Sequence, residues 1–221
     1  MRIRDRLGFT ERRQRLAVRL MEFGLVGLLF IGLERGSTGI IVNASVALLV
    51  AQLPPILERD YNLPMDAGLT LWITAAVFFH ALGTVGLPGS ELSFYRSLPW
   101  WDHLTHALSS SVVAGVGYAT ARAFDQHSDQ IHLPPRFMFV FILAFVVAFG
   151  VLWEVIEFAL GGAAAMLGTG AVLTQYGLGD TMLDLVFDII GGVIVAIWGT
   201  AYLPDVAGAL GERLGRRADG S

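Results

Sequence analysis

The sequence predicts an all-α membrane protein with six transmembrane helices in one bundle. Three observations carry that prediction. Of 221 residues, 54% are hydrophobic and only 15% are charged, which fits a polytopic membrane protein better than a soluble domain. The apolar residues gather in six runs, each near the ~20 residues that a helix needs to cross a bilayer. The basic residues fall almost wholly on one side of those runs.

The spans read as Leu16–Leu33, Gly39–Ile56, Leu69–Leu87, His103–Ala123, Phe137–Leu160 and Met182–Leu203. Pro54-Pro55 should end or kink the second, because a proline ring has no N–H to donate and clashes with the preceding turn. Pro134-Pro135 should stop the fifth from extending backwards. The first span has a basic flank but no small-x-small cleavage site, so it reads as a retained anchor. The whole chain, 1–221, reads as a single domain, with a basic segment at 1–15 and a tail at 204–221.

All fifteen basic residues are arginine. Arg2, Arg4, Arg6, Arg12, Arg13, Arg15 and Arg19 precede or enter the first span, which sets the N-terminus in the cytoplasm. Six spans then put thirteen arginines inside and two, Arg35 and Arg96, outside. Five or seven spans would spoil that agreement. The expected location is the cell membrane, with both termini cytoplasmic. Membrane lipids are the expected partners, and the N-terminal arginines suit anionic headgroups. A net charge of −4 gives no reason to expect nucleic acid. There is no cysteine, so neither disulfides nor thiolate–metal chemistry is available.

This topology brings the unusual residues to one side. His80 lies toward the outer end of the third span, and Asp102, His103 and His106 open the fourth. Glu154 and Glu157 close the fifth, and Asp180, Asp184 and Asp188 open the sixth. Ionisable groups in such segments are costly and mark function by default. Asp102 and His106 are four apart and share a helix face, as do Glu154 and Glu157 at three apart. Asp180, Asp184 and Asp188 form a ladder descending roughly 12 Å at 1.5 Å per residue. Two like charges 4 Å apart repel by about 4 kcal/mol at an effective dielectric of 20. The outer acids have Arg96 as their one basic neighbour, so they need shared protons, water or a bound cation.

A cation explains most of this pattern. Carboxylates with imidazole suit Mn, Fe or Zn as divalent ions, and carboxylates alone suit Mg or Ca. The metal set read from the spacing is Asp102, His106, Glu154, Asp184 and Asp188. His106 or Glu157 would act as general acid–base, with His80, Asp180 and Thr181 supporting. Some members have plainer readings. His80 alone reads as a hydrogen-bonded packing histidine and Asp180 as a helix N-cap. His103 reads as facing the headgroups, and Glu157 reads equally as a group at the water interface. Trp100, Trp101 and Tyr95 form an interfacial belt. Glu22 pairs with Arg19 or another helix.

The ordered blocks carry a resemblance. They are Phe79-His80 with Gly83, then Trp101-Asp102-His103-Leu104-Thr105-His106, then Trp153-Glu154-Val155-Ile156-Glu157-Phe158. Leu167-Gly168-Thr169, Gly179-Asp180-Thr181-Met182-Leu183-Asp184-Leu185 and Gly191 follow. The segment from His80 to Asp188 resembles the YjdF-like integral membrane proteins and, more distantly, the VanZ-like proteins. The likeness covers about half the chain. It implies a shared helical fold and a shared polar site, and it supplies no reaction. Asp188 stands where a VanZ-like protein typically has Asn, which makes this site more acidic.

Three functions fit. The first is a divalent-metal site that binds or acts on an envelope lipid or lipid-linked headgroup. In that reading the metal lowers the pKa of a bound water. The second is a proton or cation transporter using the graded acids. Against it, the inner half offers mainly Asn43 and Glu22, and six helices are few unless a homo-oligomer forms. The third is a non-catalytic structural network, an expensive use of so many acids.

Overall fold

The computed structural model describes residues 10–218 other than 88, 91, 129 and 174. Arg2, Arg4 and Arg6 of the basic segment, and Glu91, lie outside the described residues. The described residues are helical with connecting loops, and no strand occurs among them. Nine helices follow in order: α1 (Glu11–Arg35), α2 (Thr38–Ala51), α3 (Leu53–Tyr61), α4 (Ala67–Gly83), α5 (Phe94–Ser97), α6 (Trp101–His127), α7 (Pro135–Leu167), α8 (Leu178–Tyr202) and α9 (Pro204–Ala218).

Three stretches are long and apolar enough, by length and composition, to cross a membrane: Glu11–Arg35, Thr38–Tyr61 and Pro135–Leu167. Within α1 the most apolar window is only 22% buried. Leu20, Phe23 and Phe30 point outward. A helix that is apolar on faces its own protein does not cover is built for a lipid solvent. α4 is a shorter apolar helix. α6 and α8 have the length, at 27 and 25 residues, and carry the acids and histidines.

The sequence explains most helix ends. Gly36 adopts a left-handed φ of 61° and closes α1. The Ser37 N–H bonds back to the Gly32 carbonyl at 2.9 Å, and the Ser37 hydroxyl then caps α2 by accepting from the Ile40 N–H. Asp66 caps α4 through the Leu69 N–H at 2.8 Å. The second expected span breaks at Gln52, two residues before Pro54-Pro55. Both prolines sit in the first turn of α3, where a missing N–H costs little. α7 starts at Pro135 for the same reason.

Two boundaries differ from the sequence reading. The third span closes at Gly83 rather than Leu87. The Phe94 N–H bonds the Val85 carbonyl at 2.9 Å and turns the chain back. Any side chain at Gly83 would strike the Tyr95 and Trp101 rings. The tail also contains α9, which reaches back onto α3 and α6. Arg213 donates to the Asp60 carbonyl at the end of α3 and covers the Tyr61 ring at 4.9 Å. A cation at the carbonyl end of a helix is electrostatically favourable.

The chain divides into two compact units. The first holds residues up to Ile56, Met65–Asp102 and Leu160–Thr174. Its core joins α1, α2 and α4. Ile40, Ala44, Ala47 and Ala51 recur at helical spacing and present a mostly small-residue seam to Leu25, Leu28, Ala81 and Val85. Small residues let helix backbones approach where lipid tails are as apolar as any side chain. Glu22 belongs here too, accepting from Gln52 Nε2 at 3.2 Å. Its partner is therefore the amide that ends α2.

The second unit holds Leu57–Pro64, His103–Ala159 and the chain from Gln175 on. Glycines set its helix approaches. A methyl group at Gly191 of α8 would collide with the Ala107 carbonyl and the Ser110 hydroxyl of α6. One at Gly150 of α7 would collide with the Asp188 carboxylate of α8, and one at Gly117 of α6 would lie 2.7 Å from the Phe145 ring of α7.

Candidate functional site

The second unit buries four acids and a histidine. Asp184 is 1% exposed, Asp188 4% and Glu154 5%, with Glu157 and His106 each at 9%. Buried carboxylates on this scale must be hydrogen-bonded, protonated or bound to a cation.

Asp184 is central. Its Oδ1 lies 3.8 Å from His103 Nδ1 and 3.9 Å from His106 Nε2. The two histidines come from one face of α6, three residues apart, and clasp the acid of α8 between them. His106 is aimed by a second acid, its Nδ1 lying 3.2 Å from Asp188 Oδ1. An ionised carboxylate there would accept from Nδ1–H and leave the Nε2 lone pair toward Asp184, so the His106 tautomer follows the charge on Asp188. A carboxylate behind an imidazole in this way fixes both ring orientation and tautomer.

Asp102 is the second residue of α6, one turn before His106 on the same continuous helix. Asp102, His106 and Asp184 can each offer one ligand atom such that all three lie within 4.8 Å of one another. With metal–ligand bonds of about 2.1 Å, two ligands of one ion lie at most about 4.2 Å apart. Three ligands spread evenly around one ion stand about 3.6 Å apart, so from separations of up to 4.8 Å the atoms would draw in by up to about an ångström to share an ion.

Glu154 occupies a separate position. Its Oε2 accepts from the Thr181 hydroxyl at 2.7 Å and from Gln175 Nε2 at 3.4 Å. Gln175 Nε2 also donates to the Thr181 oxygen at 2.9 Å. Glu154 Oε1 is buried without a hydrogen-bond partner. Glu157, one turn on, accepts from Trp153 Nε1 at 3.0 Å.

Of the five metal ligands expected from the sequence, the structure therefore gathers three: Asp102, His106 and Asp184. Asp188 lies behind His106 as its hydrogen-bond partner. Glu154 is tied to Thr181 and Gln175.

Other expectations change. Asp180 does not cap α8: the helix begins at Leu178, and the Asp180 carboxylate reaches back to the Tyr176 N–H at 3.1 Å. Gly177, with φ of 114°, makes the turn just before the helix. His103 stacks on Phe187, with ring centroids 4.5 Å apart and planes within 2°, and turns Nδ1 to Asp184 instead of to the headgroups. The three-residue spacing of His103 and His106 was the available signal. Gln175 gave none, because loop geometry alone brings it to Glu154.

His80 and Asn43 lie in the first unit. His80 Nε2 meets Asn43 Oδ1 at 3.1 Å, and Nδ1 meets the Tyr95 hydroxyl at 2.9 Å. Asn43 Nδ2 donates to the Gly39 and Val172 carbonyls at 2.8 and 2.9 Å. Asn43 thus sits one turn into α2, level with His80 near the end of α4, and not in a separate inner half. Tyr95 is a hydrogen-bond partner of His80 rather than only a belt residue.

Residues 16–205 match the family model described as Predicted membrane protein (DUF2238). The chain belongs to this family. The match takes in α2 to α8, with all the buried acids and histidines of both units. A curated relative from Thermotoga maritima, called "Uncharacterized protein", is 30% identical over 142 residues. That alignment covers 62% of this chain and 65% of the relative, so the chain spans just under two thirds of that protein's length. No solved structure matches the chain.

Proposed function

We propose that this protein is a six-span membrane protein whose Asp102, His106 and Asp184 hold a divalent metal at the extracytoplasmic leaflet, where it binds or acts on an envelope lipid or lipid-linked headgroup. The observation that carries this reading is Asp184: a carboxylate 1% exposed, with an imidazole nitrogen 3.9 Å away whose other nitrogen is held by a second acid. One imidazole and two carboxylates leave coordination positions open, as a reactive site needs. A bound metal would lower the pKa of a water in such a position. With His106 taken as a ligand, Glu157 is the better of the two proposed acid–base groups. The arginine distribution supports both termini in the cytoplasm and puts the first turns of α6 and α8 at headgroup level. The YjdF-like resemblance accords with this family, and the reading borrows no reaction from it.

The test is elemental analysis of protein purified in detergent. About one divalent ion per chain, lost in Asp184→Asn, is the expected result. Metal-free wild-type protein, with Asp184→Asn unchanged in metal content and thermal stability, would sink the metal site. Headgroup release from phosphatidylglycerol vesicles with added Mn²⁺ would support chemistry. Cation flux in proteoliposomes, abolished by Glu154→Gln, would promote the transporter reading instead. A cysteine placed at position 170 should label from outside the cell, and labelling only from the cytoplasmic side refutes the topology.

A further inference from the structure

We infer that Arg12, Arg15 and Arg19 of α1 form a docking row for an anionic phospholipid, with Phe23 and Phe30 receiving its acyl chain. The row is separate from the buried acids of the second unit and stands whether or not they hold a metal. Its three arginines follow one another at i, i+3 and i+7, so they share one helix face. All three are exposed. Glu11 is the acid beside them, and Arg15 engages it, with Nη2 3.3 Å from Glu11 Oε2. Arg12 and Arg19 make no ion pair among the described residues. Like charges at this spacing repel, so the face is destabilised until an anion meets it.

What surrounds the row says which anion fits. Arg19 lies three residues inside the apolar run that starts at Leu16. Phe23, four residues beyond Arg19, is 74% exposed, and Phe30, seven beyond that on the same face, is 66% exposed. Gln14, Val18, Leu25 and Leu28, on the other side of the helix, are buried. One face of α1 thus offers cations at its Glu11 end and uncovered rings further along, the pattern of a molecule with a charged head and an apolar tail. The Cα–Cβ bond of a helical residue tilts toward the N-terminus, so the Arg19 stem leads back toward Arg12. Its methylenes can lie against acyl chain while the guanidinium reaches headgroup level. A guanidinium donates two parallel N–H bonds to a phosphate and is more weakly hydrated than an ammonium, which suits it to a phosphodiester at a bilayer edge. Two cations without acids favour a lipid of net negative charge over a zwitterionic one, whose own ammonium offsets its phosphate.

Native mass spectrometry of the full-length detergent-purified protein tests this, with phosphatidylglycerol and phosphatidylcholine titrated separately. The wild type should bind phosphatidylglycerol well ahead of phosphatidylcholine. Arg19→Gln should weaken phosphatidylglycerol binding about fivefold, and Arg12→Gln with Arg19→Gln about thirtyfold, which is about 1 kcal/mol for each arginine. Arg35→Gln removes one charge from the other end of α1 and should bind as the wild type does. Inorganic phosphate at the lipid's concentration should not displace it, because phosphate has no tail for Phe23 and Phe30. Equal binding of the two lipids by the wild type overturns the inference, as does an Arg35→Gln loss matching that of Arg19→Gln. Displacement by inorganic phosphate overturns the assignment to a lipid. None of these outcomes bears on metal content, so the row and the metal site fail separately.

Discussion

Gly191 and Gly192 are neighbours on α8, and the structure predicts opposite responses to the same methyl group. At Gly191 a Cβ would run into the Ala107 carbonyl and the Ser110 hydroxyl and would stand 3.0 Å from the Ser111 nitrogen. Two of those three atoms are backbone, which cannot rotate away, so α6 and α8 would have to separate. Overpacking of this kind costs about 1–3 kcal/mol. At Gly192 the added Cβ would meet Leu143 Cδ2 and Val146 Cγ2 at 3.4 Å, ordinary contact with side chains. Replacing a helical glycine by alanine with no clash gains roughly 0.5–1 kcal/mol through reduced chain freedom. That gain is common to both variants, so they should differ by the overpacking cost, about 1–3 kcal/mol. At roughly 2–4 °C per kcal/mol for a chain of this size, Gly192→Ala should melt about 2–12 °C above Gly191→Ala. Thermal unfolding in detergent, followed by tryptophan fluorescence, reads this directly. Equal melting temperatures, or Gly191→Ala the more stable, would refute the close α6–α8 approach on which the site geometry depends.

Three further substitutions probe the polar groups. Asp188→Ala removes the hydrogen-bond partner of the buried His106 Nδ1; calorimetry should show Mn²⁺ affinity falling by about 10–100-fold, with Asp188→Asn intermediate because it keeps a polar partner there. Unchanged affinity in the alanine variant would show that Asp188 does not orient His106. Thr181→Val removes the 2.7 Å bond to Glu154 at nearly constant volume and should cost about 1–3 kcal/mol of stability, while adding little to Glu154→Gln in the double variant. Full additivity in that thermal-melt cycle would dissolve the link. Asn43→Leu strips the Val172 carbonyl and His80 Nε2 of their partner and should expose the loop after α7 to limited proteolysis. A cleavage pattern identical to wild type would mean that Asn43 does not hold the loop.

Periodicity and charge made much of this architecture legible. Prolines at 54, 55 and 135 marked breaks close to where they occur, because the missing N–H constrains any helix in the same way. The acids of α8 were visible as a ladder from spacing alone. What spacing could not resolve was rotation. His103 and Asp102 are adjacent, so spacing that puts Asp102 and His106 on one helix face reads as turning His103 away. The three-residue step to His106 permits the opposite, and Asp184 approaching between the two rings selects it. Asp180 was misread because α8 starts two residues earlier, at a glycine turn whose φ is not visible in composition. Glu154 and Asp188 were read as ligands because a buried acid near a cluster looks the same in sequence whether it faces the centre or braces a neighbour. Thr181 and Gln175 partner Glu154 and His106 partners Asp188, tertiary contacts that spacing does not show.

The glycines and the acids of the second unit have to be considered together. Asp188 is covered on one side by Gly150, where any side chain would occupy the space of its carboxylate, and hydrogen-bonded on the other by His106. Gly191, three residues further along α8, brings α6 close enough for that bond to form. A buried acid in such a position is destabilising unless its partners are held in place, and here they are held by backbone rather than by flexible side chains. The consequence is a coupling between packing and ligation. A metal drawing Asp184 and His106 together would pull on the same seam that Gly191 keeps closed. Binding would then stabilise the helix pair as well as fill the site, since a ligand held only by the folded state adds its binding energy to folding. Gly191→Ala should therefore weaken metal affinity even though it removes no ligand atom, whereas Gly192→Ala should leave it unchanged.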